Sequence, residues 1–424
     1  MRTDPQMRDG RRAGPPERDL GVLSGSVVDL ATRHITRLGA MAVREIGVVG
    51  GGIAGTTIAY ELARRGARVT LFERGSLAGE ASGRNMGLLL NQIETGVVRI
   101  MQQSLDVYRR LEDGDVDFQL REVPQLIIAA DETQYEAMGR RAFELRSVGM
   151  NVKELDSAEI RRNFKALGPR FRGGHVIGNA WALDPAPATL AFAQAARESG
   201  AVITTATRVI QVVMAGGRVH GLVTDAGRIA LDAVVLATGP WLPELWRPAP
   251  VSVGRGWLLR TARLDFNLPW IVEDTSWPDQ DQLGRAARAP TLAEVAEGHD
   301  HPVVQAFVIA QQPGGEALIG TSLSPSLREP YEGIDMPQRI AAKALAAAPG
   351  LAATPITAAW YGLRPMTPDG MPLAGPAGPL GLWVHGGHGS IGMMTAPAIA
   401  GWLAKAIVDG IEVPELAEFR MGRF

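Results

Sequence analysis

The chain has 424 residues, long enough for two or three domains with ample core at the ~150 residues typical of one. Its residues are 46% hydrophobic and 21% charged, and its net charge of −2 comes without a basic block over the globular part. That balance suits an ordinary soluble enzyme and disfavours nucleic acid as a partner. There is no cysteine, which excludes disulfides, thiolate metal sites, a cysteine nucleophile and a cysteinyl link to a cofactor. No metal site is expected. The 50 glycines, about 12% against the usual ~7%, suit a fold built on tight turns.

Residues 1–42 read as a tail, with Pro5, Pro15 and Pro16, scattered Arg and Asp, and little periodicity before Val22. Met41 is a natural start, so the segment is either an extension or a misassigned start; the other reading is a surface helix over 27–38. The tail holds no hydrophobic signal-peptide core. The longest apolar run, Ile391 to Val408, is broken by Gly401 and Lys405 and falls short of the ~18 residues of a membrane span. A cytoplasmic protein with no membrane span is expected.

The first clear unit runs from Ile46 to Gly75. Ile46-Gly47-Val48-Val49 is an apolar run suited to a buried parallel strand. Gly50-Gly51-Gly52-Ile53-Ala54-Gly55 then supplies a G-x-G-x-x-G turn. In such a turn Gly50 makes the tight bend, Gly52 lets the backbone approach a pyrophosphate, and Gly55 lets helix and strand pack closely. A helix with Ile53, Ile58 and Leu62 on one stripe follows, and its first N–H groups, at Ile53 and Ala54, face the phosphates. Val69 to Phe72 forms the second strand, and Glu73, 23 residues beyond Gly50, is placed to bind a ribose hydroxyl. The set of strand, turn, helix and acid distinguishes a dinucleotide site from an ordinary glycine loop.

The loop over 76–87 contains Glu80-Ala81-Ser82-Gly83-Arg84-Asn85-Met86-Gly87, small and polar residues able to wrap a cofactor's phosphates, or simply a Gly/Ser loop. A helix through Met101, Leu105 and Leu111 comes next, then alternating apolar residues from Val116 to Ala130 as in an antiparallel sheet. Short helices are expected after Asp156 and from Thr189 to Glu198. Strands follow over 202–205, 209–214, 219–224 and 233–236, with a hairpin turn at Gly216-Gly217. Further strands over 257–264, 303–309 and 317–320 precede an alanine-rich helix over 338–348, and 279–301 reads as a surface excursion. The last strand, 382–385, leads through a glycine turn into a helix ending near Val408.

Three later segments carry chemistry. Ala237-Thr238-Gly239-Pro240-Trp241 follows an apolar strand, as a second backbone approach to a nucleotide would. Tyr361-Gly362-Leu363-Arg364 continues into Pro365-Met366-Thr367-Pro368-Asp369-Gly370 and sets one arginine among apolar and turn residues. Its guanidinium is suited to grip a substrate carboxylate with two parallel bonds, or to pair with Asp369. Gly386-Gly387-His388-Gly389-Ser390-Ile391-Gly392 precedes the last helix, whose dipole would favour negative charge there. His388 otherwise reads as a satisfied loop histidine.

Together these segments resemble the FAD-dependent D-amino-acid oxidase superfamily, which includes glycine oxidase, sarcosine oxidase and D-amino-acid dehydrogenase, over about residues 43–410. The resemblance rests on the first glycine turn, Ala81 to Asn85, Ala237 to Trp241, Gly362 to Leu373 and Gly387 to Gly392. It implies an α/β fold with a discontinuous Rossmann-like FAD-binding domain (43–95, 183–249, 356–424) and an inserted antiparallel-sheet substrate domain (96–182, 250–355). It also implies non-covalent FAD held by the first turn, Glu73, Arg74, Ser82, Arg84, Asn85, Met86, Val209, Ala237, Gly239 and the turn Gly387, Gly389, Ser390, Ile391 and Gly392. Arg364, with Tyr361 and His388, would face the substrate. A second arginine that glycine oxidases carry in the last turn falls at about Ser390 here, which argues against glycine oxidase itself.

The implied activity is oxidation of the C–N bond of an amino acid or secondary amine. A hydride would pass to flavin N5, the imine would hydrolyse, and electrons would go on to oxygen, a quinone or a partner subunit. The alternatives are a non-catalytic FAD-bound subunit, a NAD-linked dehydrogenase, or an amine oxidase whose substrate lacks a carboxylate.

Overall fold

The computed structural model describes residues 45–90, 95–147, 149–169, 171–276, 304–325 and 335–424. The expected tail, the helix reading over 27–38 and the excursion over 279–301 lie outside these residues.

β1 (Glu45–Val49) sits inside a six-stranded sheet. On one side of it come β2 (Arg68–Phe72) and Val202–Thr204. On the other come Ala233–Leu236, Leu382–Gly386 and, antiparallel at the edge, Leu373–Pro376. The apolar runs are continuous because both faces are covered. Ile46, Val48, Leu71 and Val235 point to the helices Ile53–Ala63, here α1, and Gly392–Val408. Val49, Val234 and Leu236 point the other way, to a three-stranded meander over Val209–Ala215, Arg218–Thr224 and Gly227–Ala230. The close packing is specific: a Cβ on Gly47 would lie 2.6 Å from Leu231.

The second sheet has eight strands in the order Ile356–Met366, Ser252–Arg263, Glu316–Pro325, Val304–Gln311, Ile271–Asp274, Gln125–Ala129, Gly173–Ile177 and Val152–Asp156. All neighbours are antiparallel except Ile271–Asp274 with Gln125–Ala129. Leu126, Val272, Ile309, Ile319 and Leu259 of one face pack with the helix Met336–Ala347. The opposite face looks onto the nucleotide sheet across a cavity.

Two expected boundaries shift. The helix Thr95–Arg109, placed with the substrate part, buries Met101, Leu105 and Tyr108 against Ile53, Phe192 and Met394, and the Tyr108 hydroxyl donates to Met393 O. The strand Ile356–Met366, placed with the nucleotide part, instead pairs along Ser252–Arg263 and forms one edge of the substrate sheet. The alternation expected from Val116 to Ala130 is not seen in Gln125–Ala129, which is buried on both faces.

Candidate active site

A cavity of about 1190 Å³ runs between the two sheets, above the few hundred to ~1,000 Å³ of a single small-molecule pocket. That suits a dinucleotide with a substrate beside it. At the nucleotide end the walls are largely backbone. Gly50 takes φ +110°, and a Cβ there would lie 2.4 Å from Ala237 O. A Cβ on Gly55 would lie 1.7 Å from Gly50 O, so only glycine lets α1 sit this close to the turn. Gly52 faces Ser82, whose Oγ accepts from Ile53 N–H at 2.8 Å. Glu73 accepts from Gly51 N–H at 2.6 Å through one oxygen and from Gly75 N–H at 2.7 Å through the other, so the acid fixes the turn it follows.

Most residues expected at the cofactor line this cavity: Gly50, Gly52, Ile53, Ala54, Glu73 and Arg74. Ser82, Arg84, Asn85 and Met86 follow from the loop, Val209, Ala237 and Gly239 from the second approach, and Gly389, Ser390 and Gly392 from the last turn. Asn85 works within its own loop, donating to Ala81 O and Ser82 O and accepting from Gly87 N–H. Arg74 stacks over Trp241 at 4.0 Å.

Three expected residues stand behind the wall. Gly55 packs on Gly50, Gly387 turns at φ +63° against Thr367 and Leu373, and Ile391 is buried under the last helix. Their parts are in shaping the wall.

Arg364 lies at the other end. It is half-buried on the cavity wall, and desolvation lowers its pKa to about 10, so it stays cationic at neutral pH. Nη1 donates to Ser322 O at 2.8 Å and Nη2 to Thr321 Oγ1 at 3.0 Å. A Cβ on Gly256 would lie 1.8 Å from Nη1, so a glycine on the neighbouring strand makes room for the guanidinium. Pairing of Arg364 with Asp369 is not what forms. Asp369 takes Arg423 at 2.7 and 3.0 Å; burial pushes its carboxyl up, but Arg423 and the Met371 N–H more than offset this and hold it low.

Tyr361 is misplaced in the substrate set. Residues alternate along a strand, so Gly362 and Arg364 face the cavity while Tyr361 faces away. It packs on Trp257 at 5.1 Å and lies under the Arg255 guanidinium at 4.9 Å.

His388 does line the cavity and is more than a loop histidine. Thr395 Oγ1 spends its hydrogen on Ile391 O at 2.9 Å, so it accepts from His388 Nδ1–H at 2.9 Å. Burial, with His385 beside it, holds the His388 pKa far below the ordinary value. The ring is therefore neutral with Nε2 as a bare acceptor, and Nε2 has no partner among the described residues. Thr238 Oγ1, also on the wall, has none either. Orphaned buried polar atoms on a cavity wall fit a bound polar ligand, and glycine cradles fit a pyrophosphate. The residues present therefore suit FAD.

Sequence reasoning missed Gly256, Thr321, Ser322 and Thr395, which act through strand pairing or a side-chain relay that no local motif marks; Thr238 lies in a segment it did single out.

The chain matches the family model "FAD dependent oxidoreductase" over residues 45–406 and belongs to that family. It is a flavoenzyme of the amino-acid and amine oxidase type that depends on FAD. It is 30% identical to a glycine oxidase of Pseudomonas aeruginosa, over 84% of this chain and 93% of that one. It is 27% identical to a D-amino acid dehydrogenase of Sinorhizobium medicae, over 73% of this chain and 70% of that protein. In structure it is similar to glycine oxidase from Geobacillus kaustophilus, with TM-score 0.75 and 24% identity over 90% of this chain and 99% of that one. An L-proline dehydrogenase of P. horikoshii gives TM-score 0.75 at 22% identity, over 90% and 98%. Among the described residues no helix is long and apolar enough to cross a membrane, and no cluster of His, Asp or Glu could hold a metal.

Proposed function

We propose that the protein oxidises the C–N bond of an amine that carries a carboxylate, an amino acid or an N-substituted amino acid. The observation that carries this reading is Arg364: a half-buried guanidinium on the cavity wall, fixed in place by Ser322 O and Thr321 Oγ1. A carboxylate placed there gains two charge-assisted bonds in a site shielded from water. FAD supplies the two-electron acceptor for a hydride leaving the substrate's α-carbon. The chain's own part is to fix the substrate through Arg364, to shield it from water, and to place the α-carbon. The nitrogen must be neutral, so that its lone pair can form the C=N bond as the hydride leaves; an ammonium gives its proton to solvent before it binds. His388 Nε2, a neutral acceptor on the same wall, would take a hydrogen bond from bound ligand rather than a proton. Relatives named glycine oxidase and D-amino acid dehydrogenase act on amino acids, which supports the same substrate class.

The test is Arg364→Lys, which keeps the charge and loses the fork. FAD content should be unchanged. The variant should raise KM strongly and lose on the order of 2–5 kcal/mol in kcat/KM, tens- to thousands-fold. A variant that oxidises its amine as well as the parent does would make a substrate without a carboxylate the better reading.

A further inference from the structure

The cavity does not stop at Arg364. Its wall is a row of residues across the substrate sheet, readable from strand pairing. Gly362 faces Gly256 across one ladder, Gly320 faces Val308 across another, and Val308 faces Glu273 on the next. Glu273 lies on the cavity wall, with nine-tenths of its surface buried. The Arg364 guanidinium reaches the strand Glu316–Pro325, and the Glu273 strand lies two further along, so roughly 10 Å separates the two groups at ~4.8 Å per strand. Val308 fills the space between them, giving an apolar stretch between two charged ends.

Beyond Glu273 the wall is the helix Glu132–Ser147, which contributes Gln134, Arg140, Arg141 and Glu144. Gln125 donates its amide to Glu273. Asp274, also on the wall, takes Lys343 at 3.1 Å, and its charge still pushes the Glu273 carboxyl up.

Resting on the amino-acid reading above, we propose that Glu273 recognises the far end of the substrate, which is an amino acid with a long side chain ending in a cationic group, an ammonium or a guanidinium. The carboxylate end would sit on Arg364, the side chain would run over Val308, and the cation would meet Glu273. The electrostatics point the same way. Burial pushes the Glu273 carboxyl up, and Arg141 and Gln125 together do not bring it back to its ordinary range. The buried acid is therefore short of positive charge, which a bound cation would supply. A Glu273 with a purely structural part would give no preference for basic substrates, so substrate choice decides its role.

The experiment is anaerobic bleaching of the flavin in the FAD-loaded, full-length enzyme. Both enantiomers of lysine, ornithine and arginine are compared with norleucine, methionine and glutamate. A basic amino acid should exceed norleucine in kcat/KM by at least ~10-fold, the weight of one charged hydrogen bond. In Glu273→Gln, which keeps the shape and the contact with Gln125, that ratio should fall toward one. If neutral amino acids are oxidised as well as basic ones by the parent, the Glu273 assignment is overturned and the amino-acid reading stands. If only glycine or N-methyl amino acids, run alongside, bleach the flavin, the Glu273 assignment falls and the amino-acid reading stands; if none of them does, both fall. The comparison within the parent protein decides the matter even where the variant loses FAD.

Discussion

The two ends of the cavity are made from different materials. At the end with the glycine turns the wall is built of backbone: glycines that approach carbonyls closely, and the start of α1, where Ser82 Oγ takes the Ile53 N–H. At the other end it is built of long side chains, Arg364 and Glu273, standing on separate strands of the second sheet. A backbone site demands particular residues at fixed local spacing. A side-chain site demands only that distant strands pair in the right register, and its parts are scattered over the chain.

Matched glycine substitutions would break or sharpen this contrast. Gly55→Ala puts a Cβ 1.7 Å from Gly50 O, a backbone atom that cannot move without opening the turn. We expect at least about 3 kcal/mol of lost stability, with FAD absent from the purified protein. Calorimetry and flavin absorbance check it, and a yellow protein of parental stability would contradict the close approach.

Gly256→Ala should behave differently. Its Cβ meets Arg364 at Nη1, the far end of a flexible side chain, so the protein should fold and retain FAD while the guanidinium moves aside. A displacement of about 1 Å at a positioning group costs on the order of a hundredfold in kcat/KM. Equal FAD content with a large rise in KM is the expected result. Loss of FAD together with activity would show that the two ends are one structural unit.

The same contrast explains what the sequence discloses. Gly50, Gly52, Gly55 and Glu73 lie within 24 residues and announce themselves by spacing. Arg364 was legible because turn and apolar residues surround it. Its supports were not: Ser322 and Thr321 lie 42 and 43 positions away and Gly256 more than a hundred. Tyr361 shares a motif with Arg364, but strand alternation sends it to the opposite face from Gly362 and Arg364, which local spacing does not show. The helix Glu132–Ser147 had a signal in Met138, Ala142 and Leu145, the only residues it buries, but its many charges hide that stripe.

His388 on the cavity wall packs edge-on against His385 behind it, with ring centroids 4.9 Å apart. Burial lowers His385 to about 4, with Ala54 O as its partner, and burial with His385 alongside lowers His388 well below its ordinary value. Both bind protons more readily when the chain is unfolded, so they favour the folded state above pH ~6.5. That contribution is lost as pH falls from about 6.5 toward 4. Melting temperatures of the FAD-loaded protein should drop across this window, and His385→Asn should flatten the drop. A profile that is level from pH 6.5 to 4.5 would mean that the pair is solvated rather than buried.

The smallest effect belongs to Asp369, the residue that competed with substrate for Arg364 in the reading of the sequence. In the structure it holds Arg423 near the chain end with two bonds, and Arg423 also donates to Met371 O at 2.8 Å. Both side chains are partly exposed, so the pair is worth only about 0.5–1 kcal/mol. Arg423→Ala should therefore lower the melting temperature by about a degree or two and leave KM at the parental value. Were Asp369 instead tuning Arg364, removing Arg423 would free its carboxylate to turn toward the cavity, and KM would rise with little change in stability. A KM shift without a stability shift would return Arg364 to a structural role, while the reverse pattern keeps the two arginines independent.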